Sequence, residues 1–80
     1  MFYVYILRSE IAQEQTYVGF TEDLKARLAK HNEGGSPQTA KYKPWRVIFY
    51  SAFHDKEKAM DFEKYLKSHS GKAFANKRLI

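Results

Sequence analysis

Along residues 2–7 nearly every position is aromatic or β-branched, a pattern that reads as a buried strand. Side chains alternate across a strand. Tyr3, Tyr5 and Leu7 therefore share one face, and Phe2, Val4 and Ile6 the other. The polar stretch 9–15 is short enough for a hairpin connection, and residues 16–20 supply a second strand with Tyr17 and Gly19 on one face. Antiparallel pairing brings Tyr5 and Tyr17 to the same side of the sheet. Gly19 is notable, because a glycine inside a strand pattern marks a bulge or a close approach by a ligand or backbone.

The period then changes to that of a helix. Thr21 is a suitable N-cap, with Glu22 and Asp23 in the first turn. Leu24 and Leu28 form the apolar stripe, and Arg27 and His31, four residues apart, are neighbours on its flank. The helix is expected to end near Asn32, ahead of Gly34-Gly35. Residues 36–44, punctuated by Pro37 and Pro44, read as a loop, and 47–53 as a third strand. Asp55 caps a second helix whose apolar positions are Ala59, Phe62 and Leu66, with Met60 at the margin. At about 100° per residue, Glu63 falls within the arc between Met60 and Leu66, while Glu57 and Asp61 point to solvent. Ser70-Gly71 reads as a helix break. Residues 72–79 make a short amphipathic end-piece, with Phe74 and Leu79 inward and Lys77 and Arg78 outward. The helical wheel leaves Asn76 between the break side and solvent. The order strand, strand, helix, strand, helix, helix predicts an α+β domain over residues 1–80: a three-stranded, mostly antiparallel sheet flanked by helices.

Composition adds constraints. Eighty residues leave room for one small core, and at 16% the aromatic side chains supply most of its volume. The absence of cysteine removes disulfides and cysteine-based zinc sites, and is compatible with a reducing cytoplasm. No apolar run approaches the ~20 residues of a membrane span. Met1-Phe2-Tyr3-Val4 offers neither the basic run nor the small-residue cleavage site of a signal peptide. A cytoplasmic location is the resulting expectation.

The formal charge of +5 favours a polyanionic partner. Lys41, Lys43 and Arg46 surround Tyr42 and Trp45, and basic residues interleaved with aromatics grip phosphates and stack on bases. A plain basic loop fits the same run. A carboxylate on an inward helix face needs a partner, since burying it unpaired shifts its pKa or costs several kcal/mol. For Glu63 that partner is either a structural cation, with Arg27 a candidate, or a hard divalent metal ion open to phosphate.

Tyr3-Val4-Tyr5, Tyr17-Val18-Gly19, Arg27, His31 and Glu63, in this order and spacing, resemble the GIY-YIG nuclease superfamily. The likeness is strongest to its small stand-alone bacterial members, which are related to the N-terminal nuclease domain of the bacterial excision-repair nuclease. It runs from Phe2 to the C-terminal helix. Tyr3 stands where the name motif has its first glycine, and Phe20 follows Gly19 where some members carry a polar or basic residue.

The resemblance implies a metal-dependent endonuclease acting on DNA, with Glu63 holding Mg²⁺ or Mn²⁺. Arg27 would bind the phosphate and Tyr17 accept a proton from the attacking water. Tyr5 would hold water or phosphate, and His31 would assist proton movement. Asn76 is the candidate for the family's late asparagine, and Gly19, Lys41, Lys43, Trp45 and Arg46 are candidate nucleic-acid contacts.

So small a nuclease has little surface for reading sequence, so cutting is expected to be structure-selective or weakly specific, on branched or single-stranded DNA. A protein partner is the other source of specificity. The expected state is a monomer or weak dimer with no membrane association. A nucleic-acid-binding module that does not cut, and a protein-interaction domain, are the competing readings. The nuclease reading requires Tyr5, Tyr17, Arg27 and Glu63 to frame one cavity.

Overall fold

Three strands supply the frame, and the alternation of their side chains decides which helix covers which face. The computed structural model describes Met1–Ile80. In order, the elements are β1 (Phe2–Ser9), β2 (Thr16–Thr21), α1 (Leu24–Asn32), α2 (Pro37–Ala40), β3 (Trp45–Phe53), α3 (Lys56–Lys67) and α4 (His69–Arg78). The sheet is antiparallel throughout, in the order β2-β1-β3, so β1 is central and β2 is an edge. The fold is α+β, as the alternation of periods predicts.

On one face Val4 and Ile6 pack with Ala59 and Leu66 of α3 and Ala75 of α4. Phe2, Val18, Phe20, Phe49, Phe53 and Phe62 surround this cluster. On the other face Tyr5, Leu7 and Trp45 pack beneath Leu24 and Leu28 of α1, with Tyr17 and Tyr42 beside them. The chain thus has two small clusters on the two faces of one sheet, with α1 and α3 on opposite sides. Fully burying one such side chain is worth about 1.5–3 kcal/mol.

Several boundaries differ from the pattern-based reading, each for a local reason. β1 continues to Ser9, whose hydroxyl donates to the Tyr42 carbonyl at 2.6 Å and accepts from the amides of Ile11 and Ala12 at 3.2 and 3.0 Å. Thr21 is not the cap of α1. It pairs with Tyr3 in the ladder, and its Oγ1 accepts from Asp23 N at 3.1 Å. Asp23 then caps the helix by accepting from Ala26 N at 3.0 Å. Residues 36–44 are not all loop, since Pro37 at the first helical position starts the turn α2. β3 carries a bulge opposite Ile6/Leu7, which turns both Ile48 and Phe49 toward the first cluster.

The break between the last two helices is at Ser68, not at Ser70-Gly71. Ser68 is extended, caps α4 by accepting from Gly71 N at 3.1 Å, and donates to the Tyr65 carbonyl at 2.6 Å. Gly71 lies inside α4, where a Cβ would overlap the Tyr65 carbonyl, so glycine sets how closely α4 crosses α3. Phe74 does not point inward either. It is 38% exposed and lies on Tyr65, leaving Ala75 as the buried residue of α4. No helix is long and apolar enough to cross a membrane.

Candidate functional site

Tyr5 is the centre of the proposed site, and its environment follows from its register. It lies opposite Gly19 on β2, and its phenol occupies the space a Cβ at Gly19 would take. The pairing is regular at this point, without a bulge. What approaches the glycine is a side chain, not a ligand or backbone. Gly19 thereby lets Tyr5 lie across β2 toward the sheet edge, and Tyr17 flanks it with ring centroids 6.4 Å apart.

Behind the phenol is a buried polar chain. Tyr5 Oη is 2.9 Å from His31 Nε2, and His31 Nδ1 is 2.6 Å from Thr39 Oγ1. Tyr5, His31 and Thr39 are each 1% exposed or less. Thr39 donates its hydroxyl to the Ser36 carbonyl at 3.4 Å. Thr39 Oγ1 therefore accepts from His31 Nδ1–H, which leaves Nε2 as the acceptor of the Tyr5 proton.

The electrostatics agree with this direction. Burial, then the Tyr17 charge, push the Tyr5 pKa from 10 to about 12; Arg27 pulls it down, and Glu63 adds a small upward push. Burial, then the charges of Arg27 and Lys30, lower the His31 pKa. Near neutral pH the pair is a neutral phenol donating to a neutral imidazole. His31 has both ring nitrogens engaged by the protein and no access to solvent. Thr39 is a member of this chain that the sequence did not point to, because a threonine in a polar stretch carries no periodic signal.

Arg27 and His31 project from α1 on one face, while Glu63 belongs to α3 on the other. Tyr5, Tyr17, Arg27 and Glu63 do not line a single cavity: of the four, only Tyr17 borders the larger cleft of the molecule. Lys67, one turn beyond Glu63, stands 5.9 Å from the centre of the Tyr17 ring. The partner of Glu63 is Lys67, at 2.6 Å, and not Arg27.

No group of three or more His, Asp or Glu side chains converges to hold a metal ion. A single half-buried carboxylate fits one class of ion. Mg²⁺ keeps several waters and is bound through one or two carboxylates together with substrate phosphates. By the chemistry of its donor, Glu63 fits a hard ion shared with a phosphate and not a closed protein cage.

The remaining expected contacts separate. Trp45 is not a stacking platform. It begins β3, is 4% exposed, and its indole Nε1 donates to the Thr39 carbonyl at 2.8 Å. Asn32 fixes its backbone from α1, accepting from Trp45 N at 2.6 Å and donating to Trp45 O at 3.1 Å. Lys41 and Lys43 are exposed beyond α2, with the Lys41 ammonium 5.5 Å over the Tyr42 ring. Arg46 is exposed and lies directly opposite Arg8 in the ladder.

Asn76 is exposed and lines a cleft of about 600 Å³ that Tyr17, Arg8, Lys67 and Lys72 also line. Arg8, Lys67 and Lys72 escaped the sequence reading. The available signals were an arginine continuing the Phe2-Val4-Ile6 face and a lysine four residues after Glu63.

Comparison with known proteins places these features in context. Residues 1–78 match the GIY-YIG catalytic domain. A UPF0213 protein from Streptococcus pyogenes serotype M5 is 41% identical over 66 residues, covering 81% of this chain and 70% of its own length. A UPF0213 protein from Lacticaseibacillus paracasei is 42% identical over 67 residues, covering 82% and 73%. The solution NMR structure of a UPF0213 protein from Bacillus halodurans superposes with a TM-score of 0.57 at 33% identity, covering 99% of this chain and 87% of that one.

Proposed function

The chain belongs to the GIY-YIG catalytic domain family, and we propose that it is a metal-dependent endonuclease hydrolysing DNA phosphodiester bonds. The observation that carries this reading is the cluster of Tyr5, Tyr17 and His31 at the β2 edge, with Tyr5 Oη 2.9 Å from His31 Nε2 and the Tyr17 and His31 ring centroids 5.1 Å apart, in a chain whose residues 1–78 match the GIY-YIG catalytic domain.

In this reading each residue has one task. Arg27 offers its planar fork to the non-bridging phosphate oxygens and stabilises the charge that grows on them. Tyr5 stays protonated, is held in place by His31, and positions the phosphate or the attacking water. His31 positions Tyr5 and does not itself exchange protons with solvent, since both of its nitrogens are engaged. Tyr17, which lines the cleft, takes the proton from the attacking water. The cation beside it is the Lys67 ammonium, 5.9 Å from the centre of the Tyr17 ring. Glu63 holds the metal, which when bound neutralises charge on the phosphate and the leaving oxygen.

The test is incubation of the purified protein with branched, nicked, linear duplex and single-stranded DNA, with Mg²⁺ and with chelator. Chelator-sensitive cleavage is expected, strongest on substrates with unpaired segments. Salt-dependent binding without cleavage on any substrate would select the non-cutting binding module instead.

A further inference from the structure

The cleft beside Tyr17 is built for an anion it does not find within the protein. It lies between the β1–β2 hairpin and helices α3 and α4, and Arg8, Lys67 and Lys72 line it. Three observations converge on Arg8. First, its Nε is buried without any hydrogen-bond partner, and a buried donor left unpaired is unfavourable unless something else satisfies it. Second, Arg8 is directly opposite Arg46 on the neighbouring strand, and like charges facing each other across a ladder are destabilising. Third, no carboxylate neutralises either guanidinium. The one ion pair in the molecule is Lys67 with Glu63, and Glu14, which also lines the cleft, pairs with no cation. An unpartnered donor on Arg8, with Lys72 as a second cation outside any ion pair, in a cleft that Tyr17 also lines, describes a phosphate site.

The size of the cleft selects among phosphate-bearing ligands. At about 600 Å³ it lies within the range of small-ligand pockets, a size that suits a short stretch of one strand better than the full width of a duplex. Asn76 and the glutamines of the hairpin connection add neutral donors and acceptors suited to sugar and base edges. We propose that this cleft binds the phosphodiester backbone of single-stranded nucleic acid, with Arg8 and Lys72 holding the phosphates next to the one presented at Tyr17. The inference rests on the nuclease reading only for its last clause, the position of the scissile phosphate. It also relocates the main nucleic-acid contact away from the loop of Lys41 and Lys43.

The experiment uses fluorescence anisotropy with a short labelled oligothymidine and a duplex of equal length, in chelator, over a range of salt. The proteins are the wild type, Arg8→Met, Lys72→Ala and the charge-matched control Lys25→Ala, which lies on the other face. The wild type is expected to bind the single strand more tightly than the duplex. Arg8→Met and Lys72→Ala should each weaken it several-fold and reduce the logarithmic salt slope by about 0.7 per cation removed, and Lys25→Ala should bind like the wild type. Lys72 is exposed, so its variant remains informative if Arg8→Met fails to fold. Wild-type binding and slope in Lys72→Ala, or equal binding of the duplex, would overturn the assignment. Cleavage with Mg²⁺, scored in parallel, separates the two ideas. Cutting with unaffected binding in the cleft variants removes the cleft and leaves the nuclease. Cleft-dependent binding without cutting does the reverse.

Discussion

Tyr5→Phe is the substitution whose consequence the buried polar chain determines most fully. The ring itself is retained, so its packing with Leu7 and Trp45 and its contact over Gly19 persist. What disappears is one hydroxyl, 2.9 Å from His31 Nε2, at a site where both residues are 1% exposed. Water cannot replace it, and Nε2 is left as a buried acceptor without a donor. Such a group costs about 1–3 kcal/mol, which in a domain of this size lowers the melting temperature by about 4 °C or more. Thermal and urea unfolding followed by circular dichroism measures this directly. Thr39→Val strips the other nitrogen of the same ring, removing the acceptor at 2.6 Å from Nδ1. Because the two substitutions share His31 as partner, their combined effect should differ from the sum by about 0.5 kcal/mol or more. A Tyr5→Phe protein within about 0.5 kcal/mol of wild type would refute the reasoning, since that is the range of a surface substitution.

Three further outcomes follow from the same structure. The folded state resists protonation of His31, whereas the unfolded ring titrates near pH 6.5. The contribution is therefore complete above about pH 6.5 and is lost as the pH falls toward the lowered folded value; urea midpoints should fall between pH 7 and 5.5, more steeply than in His31→Gln, and parallel slopes would deny it. Lys67→Met removes an ion pair whose lysine is 50% exposed, so stability should change by less than about 1 kcal/mol, while Mg²⁺ affinity by calorimetry should rise as Glu63 is freed; unchanged affinity would mean the pair does not compete with metal. Gly71→Ala puts a Cβ into the Tyr65 carbonyl and should cost about 3 kcal/mol or more, measured as a lowered urea midpoint, and a neutral result would show that α4 can swing away from α3 freely.

The sequence was most informative where one period holds over a whole element. Alternation placed Val4 and Ile6 on one face and Tyr5 and Leu7 on the other, and helical spacing placed Ala59 and Leu66 inward, as the two clusters show. Capping was legible at Asp55, which accepts from Glu57 N and Lys58 N. It misled at Thr21, because a threonine two residues ahead of an aspartate serves equally well as a strand end.

Trp45 looked like a stacking residue because it sits among lysines. Composition cannot report that its indole closes the Thr39 carbonyl beneath α1. Gly71 suggested a helix stop because glycine weakens helices, yet here a close helix crossing requires it. Tyr5 and Tyr17 were legible as neighbours on one side of the sheet, and the structure sets their rings 6.4 Å apart. The bond from Tyr5 to His31 was not, since it joins a strand to a helix by a tertiary path that no local pattern encodes. Arg8 was overlooked for a related reason: an arginine ending an apolar strand looks like solvation until the ladder sets it against Arg46.

The central claim is that Glu63 holds the metal on which phosphodiester cleavage depends. Its most direct test is the rate of DNA cleavage by Glu63→Ala beside wild type at saturating Mg²⁺, with circular dichroism confirming that both are folded. Chelator-sensitive cleavage by the wild type, and a loss of orders of magnitude in the variant at unchanged fold, is the predicted result. Cleavage by Glu63→Ala at the wild-type rate would contradict the account.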